Sequence, residues 1–169
     1  YCRKRNLKNN MDLSTLITQE GMDKLQRRIQ ELLRERPAVI KAVATAREYG
    51  DLSENAEYKS ARERQRQIDT EIDYLRRRAA HLKVIDISTI PKDRVRFGAI
   101  CRIRDEANGE IIVYQIIGAD ELNFFDKEGI QPVSVLSPIG NSLLGKQVGD
   151  KVVVDAPMGE RILEILEIS

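Results

Sequence analysis

Two carboxylates three residues apart, Asp51 and Glu54, are the side chains of this chain best suited to chemistry. They lie in a short segment, residues 50–57, that separates two long heptad patterns. Carboxylate oxygens suit Mg²⁺, which commonly takes one or two protein carboxylates and keeps several waters. One acid pair does not build a full metal site, but it can complete a site on another molecule. On a functional interpretation, Asp51 and Glu54 could complete a metal site on a partner, provided that the element carrying them delivers them there.

The same two acids also fit a purely structural interpretation. If the second helix begins within this segment, Asp51 is its N-cap and Glu54 its N3 residue, the spacing of a capping box. Both carboxylates then lie near the positive end of the helix dipole. The two interpretations are compatible, because a capped and rigid tip also positions its acids.

The heptad patterns predict the element that carries the acids. Apolar-leaning residues recur at alternating steps of three and four over 22–46 and again over 58–82, the a/d spacing of a coiled coil. In an antiparallel hairpin the numbers of facing residues add to a constant, and here every layer adds to 100 or 101. We predict an antiparallel coiled-coil hairpin that turns at Gly50, with Arg36 and Gln65 as its polar layer. Each arm of about 30 residues spans about 45 Å.

Basic residues surround the acidic tip. Arg47 precedes it, and four more follow it on the second helix: Lys59, Arg62, Arg64 and Arg66. Such a cluster can attract the phosphate backbone of RNA or DNA, and Arg offers bidentate phosphate contacts. A solvated helix face with ion pairs along the helix, for example from Arg66 to the acids at 69 and 71, is the alternative. Tyr58 lies on the seam opposite Val43, which favours a place in the core over base stacking.

The hydrophobic period changes after residue 83. Residues 95–103, 111–117, 133–136, 151–154 and 161–168 are predicted strands, and Asn108-Gly109 favours a turn between the first two. Ser137 and Pro138 are predicted to open a short helix as N-cap and first helical residue. Gly145 is predicted to end that helix. Five strands and one helix predict a compact α+β domain.

The chain is therefore predicted to be an α+β protein of two domains. Residues 1–15 are predicted to be a disordered extension, 16–83 the coiled-coil hairpin with its acidic tip near 50–54, and 84–169 the second domain. The composition agrees, since 33% of the 169 residues are charged and only 5% are aromatic. Such values suit a long solvated helix better than one large globule.

Charge and cysteine usage narrow the class of protein further. The net charge is only +1, and no run of 18 apolar residues is present, so no membrane span is predicted. The basic start lacks the apolar core of a secretory signal. Cys2 and Cys101 lack metal-ligand or disulfide spacing and are predicted to be reduced thiols. His81, the single histidine, is predicted to be solvated. A cytoplasmic location is expected.

The tip segment closely resembles the signature of the bacterial GreA/GreB transcript cleavage factors, in the run Ala46-Arg47-Glu48-Tyr49-Gly50-Asp51-Leu52-Ser53-Glu54-Asn55-Ala56-Glu57-Tyr58 followed by Ala61-Arg62-Glu63. Arg36-Pro37 resembles a segment of the family's first helix, where a local kink is expected. Downstream matches follow in order: Val84-Ile85-Asp86, Phe97-Gly98-Ala99, Ser137-Pro138-Ile139-Gly140, Leu143-Leu144-Gly145-Lys146, Gly149-Asp150 and Pro157-Met158-Gly159-Glu160. The resemblance covers about residues 16–168 and is GreA-like at Leu52, whereas Ser53 is closer to GreB.

This resemblance implies a fold and a mechanism. Family members have an N-terminal antiparallel coiled coil and a C-terminal domain of FKBP-like fold, which docks at the rim of the RNA polymerase secondary channel while the coiled coil inserts through it. The acids matching Asp51 and Glu54 help the polymerase to hold its second Mg²⁺ and to activate a water. The polymerase then hydrolyses its own backtracked transcript. The protein is accordingly expected not to be an enzyme and not to bind Mg²⁺ stably alone.

The resemblance also implies contacts and partners. Four residues near the tip are expected to contact the RNA 3′ end or the channel wall: Arg47, Asn55, Tyr58 and Arg62. Docking on the polymerase is expected at Ser137, Pro138 and Ile139. The expected partners are RNA polymerase and the nascent RNA 3′ end, with no membrane and with a monomeric protein.

Two other functions remain as alternatives. A Gre-paralogous regulator would occupy the same channel without stimulating cleavage, and the presence of both tip acids argues against it. An FKBP-like domain acting as a prolyl isomerase or chaperone, with the coiled coil as a dimeriser, is the second. Its segment 84–169 offers a poor supply of aromatic residues for a proline pocket: Phe97, Tyr114, Phe124 and Phe125.

Overall fold

The computed structural model describes residues 12–50 and 55–169. They divide into two compact units: residues 23–81 form one, and residues up to 22 join 82–169 in the other. A helical N-terminal part and a sheet-rich C-terminal part confirm the predicted α+β class. The compact units group residues 16–22 with 82–169, although α1 already begins at Gln19, whereas the predicted hairpin begins at residue 16.

The predicted disordered extension was also wrong in part. Residues 1–11, and with them Cys2, lie outside the described residues. Asp12 caps a 3₁₀ turn over Leu13–Thr15, because its Oδ1 accepts a hydrogen bond from the Ser14 N–H at 3.0 Å. This local cap and the packing of Leu13 against the core both hold the turn.

The helical unit is an antiparallel hairpin of α1 (Gln19–Arg47) and α2 (Ala56–His81). Ion pairs cross between the helices from Arg28 to Glu71 at 2.8 Å and from Arg64 to Glu35 at 2.6 Å, so early α1 faces late α2. The helix α1 runs through Pro37 without a break in its assignment. The predicted seam is confirmed at its buried members: Leu25, Ile29, Leu32, Val43, Ala46, Ile68, Ile72 and Leu75.

The middle of the seam is polar, as predicted, but with different partners. Arg36 Nε donates to Asp69 Oδ1 at 2.6 Å, and Gln65 Oε1 accepts from Arg62 Nη1 at 2.9 Å. The predicted facing pair of Arg36 and Gln65 is thus replaced by one ion pair between helices and one hydrogen bond within α2. A carboxylate is the stronger partner for a guanidinium, since both groups are charged.

The sheet-rich unit contains two sheets and a short helix, α3 (Pro138–Leu143). The small sheet pairs β1 (Leu16–Thr18) in parallel with β2 (Lys83–Ile85). The large sheet has the strand order β5-β4-β3-β7-β6. Its strands are β3 (Ile100–Asp105), β4 (Ile111–Ile117), β5 (Gln131–Ser134), β6 (Lys151–Ala156) and β7 (Gly159–Ile168).

All five predicted strands are present; β4 has the predicted ends, and the other four are shifted. The first begins at Ile100 rather than at residue 95, because Gly98 adopts a left-handed φ of 84° that interrupts an extended chain. The pairing of β1 with β2 was not predicted, since each strand has only three residues.

The core of this unit is formed by buried residues of its strands and of α3, among them Ile103, Tyr114, Leu143 and Leu163. Cys101 is a free thiol in this core, and burial raises its pKa to about 12. His81 is exposed, as predicted. Within the part of the chain that the structure describes, no helix is both long and apolar enough to cross a membrane.

Candidate functional site

The candidate site is the tip of the hairpin, where α1 ends and α2 begins. After Arg47 the hydrogen bonds change to the shorter spacing of a turn, three residues apart. The Glu48 N–H donates to the Thr45 carbonyl and the Tyr49 N–H to the Ala46 carbonyl, both at 3.2 Å. Gly50 follows with φ 103°, a conformation that residues with a Cβ rarely adopt. This turn agrees with the predicted reversal at Gly50. Asp51 and Glu54 themselves lie outside the described residues.

The helix α2 has a different cap from the predicted one. It begins at Ala56, and Asn55 Oδ1 accepts from the Tyr58 N–H at 3.0 Å, which is the N-cap to N3 bond. The prediction of Asp51 as N-cap and Glu54 as N3 residue was therefore wrong, because the helix starts beyond both. Asn caps as well as Asp does.

Asn55 also joins the two helices. Its Nδ2 donates to the Ala46 carbonyl at 2.7 Å, so one amide group binds the end of α1 and the start of α2. We call Ala46, Asn55 and Tyr58 the tip clamp. Beside it, Arg47 Cζ lies 5.7 Å from the centre of the Tyr58 ring, within the range of a cation–π contact. Tyr58 is half-buried, and Arg47 is exposed.

The remaining basic residues near the tip are mostly paired. Arg64 makes a bidentate ion pair with Glu35, at 2.7 and 2.6 Å, and its hydrogen bonds lower the pKa of that carboxyl. Arg66 pairs with Glu63 at 3.3 Å. Its predicted partners were wrong, because Asp69 and Glu71 pair with α1 instead. For Arg64 and Arg66 the ion-paired face is therefore the better interpretation.

The predicted docking residues lie at the start of α3. Ser137 is its N-cap, as predicted, since its Oγ accepts from the Gly140 N–H at 3.1 Å and donates to the Ser134 carbonyl at 2.7 Å. Pro138 is exposed at the first helical position, and Ile139 packs partly against the core. Pro138 is accordingly the most accessible of the three predicted docking residues.

A second polar cluster, missed by sequence reasoning, lies at the other end of α1. We call Thr18, Gly21 and Glu121 the root cluster, and all three belong to the sheet-rich unit. Glu121 Oε2 accepts from the Thr18 N–H at 2.7 Å, and the Gly21 N–H donates to Thr18 Oγ1 at 3.0 Å. Glu121 is only 4% exposed. A threonine three residues before a helical glycine signals the cap, but no sequence signal points to a carboxylate 103 residues away.

The donor chemistry of the acid pair determines which metal ions it suits. Two carboxylates suit Mg²⁺ but leave most of an octahedral shell to other ligands. Among residues 12–50 and 55–169, no group of three or more His, Cys, Asp or Glu side chains is arranged to hold a metal ion. Metal binding by Asp51 and Glu54 stays a prediction, because both residues lie outside the described part of the chain.

Known proteins resemble the whole described chain. Two family models match, "Transcription elongation factor, N-terminal" over residues 15–84 and "Transcription elongation factor, GreA/GreB, C-term" over residues 90–169. Transcription elongation factor GreA of Nitratidesulfovibrio vulgaris (strain DSM 19637 / Miyazaki F) is 43% identical over 153 residues, covering 90% of this chain and 93% of the relative. The GreA of Rhodospirillum rubrum is 45% identical over 150 residues, covering 88% and 93%.

Among solved structures, Gfh1 of Thermus thermophilus is 22% identical, covers 92% of this chain and 99% of its own, and superimposes with a TM-score of 0.42. The family assignment rests on the sequence relatives, whose matches extend through both the hairpin and the sheet-rich unit. The tip signature identified from the sequence lies inside the first matched region. This chain belongs to the GreA/GreB family of transcription elongation factors.

Proposed function

We propose that this elongation factor inserts its helical hairpin into the secondary channel of RNA polymerase and stimulates cleavage of backtracked RNA by the polymerase. The observation that carries the proposal is the tip clamp. Asn55 caps α2 and binds the end of α1, so neither Asp51 nor Glu54 is needed to start the helix. In sequence, both acids follow a helix whose 29 residues span about 44 Å.

The proposed roles follow from side-chain chemistry. Asp51 and Glu54 would supply carboxylate oxygens to a Mg²⁺ held jointly with the polymerase, and such an ion would supply the Lewis-acid chemistry of phosphodiester hydrolysis. Arg47, exposed over the Tyr58 ring, is positioned to offer its charge to the RNA 3′ end or to the channel wall. Pro138, with its exposed neighbour Leu136, offers a docking surface on the sheet-rich unit. The hydrolysis itself belongs to the polymerase, in the cytoplasm where it works.

The isomerase alternative has less support from this structure. Phe97 and Tyr114, two of the four aromatic residues of segment 84–169, are buried in the core at 8% and 1% exposure. They are therefore not available to line a surface pocket for a proline side chain. A peptide isomerisation assay on the full chain should show no acceleration over the uncatalysed rate.

Transcript cleavage in a stalled, backtracked polymerase complex with Mg²⁺ tests the proposal. The intact protein should shorten the transcripts, and Asp51→Asn should lose this stimulation while still binding the polymerase. Asp73→Asn is the matched control, because it also removes one carboxylate from the hairpin, but an exposed one paired with Arg77. The control variant should stimulate cleavage by the polymerase to the same extent as the intact protein.

Two results would overturn the proposal. If Asp51→Asn stimulates cleavage at the rate seen with the intact protein, the tip acids do not have the proposed role. Binding of the intact protein without any cleavage, with slower elongation, would instead identify a channel-blocking regulator. Polymerase binding is therefore measured in parallel, by competition with a labelled copy of the intact protein.

A further inference from the structure

Tyr49 is the most exposed aromatic residue of the helical hairpin. The other two aromatic residues of the hairpin are Tyr58 and Tyr74. Tyr49 is 72% exposed and Tyr74 is 53% exposed, whereas Tyr58 is half-buried with Arg47 over its ring. The ring of Tyr58 is therefore largely used within the hairpin, and Tyr49 presents the larger free aromatic surface.

The backbone of Tyr49 is held in the turn that follows α1. Its N–H donates to the Ala46 carbonyl at 3.2 Å, and the next residue, Gly50, adopts φ 103°. A tyrosine side chain has few rotatable bonds, so a ring on such a backbone loses little conformational entropy when it binds a partner. Tyr49 is thus a preorganised aromatic surface beyond the end of α1.

The residues beside Tyr49 indicate the chemistry of its partner. Arg47 is exposed, and its contact within the described part of the chain is the Tyr58 ring rather than a carboxylate. An arginine near an aromatic ring suits single-stranded RNA, because the guanidinium binds a phosphate and the ring stacks on a base. Glu48, between the two in sequence, is also exposed and offsets the charge of Arg47. Base stacking should therefore contribute more to such a contact than charge does.

We propose that Tyr49 stacks on an unpaired base of the backtracked RNA, so that the factor binds a backtracked polymerase complex more tightly than one whose RNA is fully paired. This inference rests on the function proposed above and adds a residue to which the family resemblance gave no role. An unpaired base offers its face to an aromatic side chain, and such stacking tolerates every base. The contact therefore recognises the unpaired state of the RNA rather than its sequence.

Equilibrium binding to two stalled polymerase complexes tests this recognition. One complex is backtracked and carries unpaired RNA, and the other holds its RNA 3′ end paired with the template DNA. Asp51→Asn is the background protein, because it is expected to bind without stimulating cleavage during the measurement. In this background, Tyr49→Ala should weaken binding to the backtracked complex about tenfold and change binding to the paired complex by less than about twofold. Competition with a labelled copy of the background protein measures both affinities.

Matched substitutions separate stacking from other contacts. Tyr74→Ala makes the same change at an exposed tyrosine of α2 and should bind both complexes as the background protein does. Tyr49→Phe keeps the aromatic ring and should keep the affinity, whereas Tyr49→Leu keeps only apolar bulk and should lose it. With abasic nucleotides at the unpaired RNA positions, the background protein should bind as weakly as Tyr49→Ala, and Tyr49→Ala should weaken binding no further.

Two results would overturn this inference. Tyr49→Ala may bind the backtracked complex as tightly as the background protein, which would leave Tyr49 without a contact. A loss of affinity that persists on abasic RNA, or that Tyr49→Leu does not show, would instead assign Tyr49 to an apolar surface of the polymerase. The proposed function is judged separately, by cleavage with the protein that retains Asp51. If that protein binds but stimulates no cleavage, the proposed function fails, and the abasic comparison still decides the role of Tyr49.

Discussion

The two ends of helix α1 are both held by a single polar side chain, but in different surroundings. At the start, the root cluster places the Glu121 carboxylate against the Thr18 N–H, and Glu121 is 4% exposed. At the end, the tip clamp places the Asn55 amide on the Ala46 carbonyl in a half-buried setting. Glu121 lies 103 residues from Thr18 in the chain, whereas Asn55 lies only nine residues from Ala46.

Burial decides what each arrangement contributes. A buried N–H that loses its partner costs about 1–3 kcal/mol, because water cannot replace the lost hydrogen bond. At a half-exposed helix end, water replaces much of a lost cap, and the cost is about 1 kcal/mol. The comparison therefore predicts that the root cluster contributes more to the free energy of unfolding than the tip clamp does.

The largest effect is expected for Gly21→Ala. An added Cβ would overlap the Glu121 carboxylate and approach the Glu121 Cβ and Cδ at 2.8 Å. Alanine normally stabilises a helix by about 1 kcal/mol over glycine, yet here overpacking should lower the free energy of unfolding by about 1–3 kcal/mol. Urea denaturation measures it. In a Glu121→Gly background, which lacks the Cβ as well as the carboxylate, the same substitution should no longer destabilise the protein. A loss of equal size there would refute the assigned clash.

Glu121→Gln should cost somewhat less, about 1–2 kcal/mol, and its effect should depend on pH. Burial raises the pKa of Glu121 above that of an ordinary carboxyl. The stability contributed by its protonated form is full below the ordinary pKa and is lost as pH rises through the raised pKa. The free energy of unfolding of the intact protein should therefore exceed that of Glu121→Gln by less and less as pH rises from about 4.

Urea denaturation across this pH range checks the sign. Glu128→Gln, at an exposed carboxylate, is the control and should show no such trend. An advantage that grows with pH would mean that the hydrogen bonds from Thr18 favour the charged carboxylate more strongly than burial disfavours it.

Asn55→Ala should have a smaller effect on stability, about 1 kcal/mol, because the cap of α2 is lost at a half-exposed position. Asn55→Ser should stay within about 0.5 kcal/mol of the intact protein, since Ser caps nearly as well. Thermal unfolding followed by circular dichroism measures both. If Asn55→Ala lowers the free energy of unfolding as much as Gly21→Ala does, the two ends of α1 do not differ in their contribution to stability.

The smallest effect is expected at the Arg47–Tyr58 contact. Arg47→Gln removes the charge above the ring and should cost about 0.5–1 kcal/mol, the usual value for an exposed cation–π contact. Tyr58→Phe keeps the ring and should leave the thermal midpoint unchanged. A shift in Tyr58→Phe as large as that in Arg47→Gln would assign the stabilisation to the hydroxyl instead.

Local patterns predicted the elements well where neighbouring residues in sequence are also neighbours in space. The heptad steps located the buried seam from Leu25 to Leu75, and Ser137-Pro138 located the start of α3. The start of α2 was predicted in the right segment, but its cap was assigned to Asp51 although Asn55 holds that position. Asp and Asn cap helices equally well, so a segment containing both gives no local basis for choosing between them.

The amino-acid sequence by itself determined the hairpin, its turn at Gly50, the position of the acid pair and the family, because each is recorded in residues close together in the chain. Only the tertiary structure decided which polar groups meet across distance: Glu121 with Thr18, Asn55 with Ala46, and Arg36 with Asp69 rather than Gln65. Those pairings depend on how the backbones approach one another. Hydrophobic periodicity specifies which face of an element is buried, but it does not specify which donor binds which acceptor.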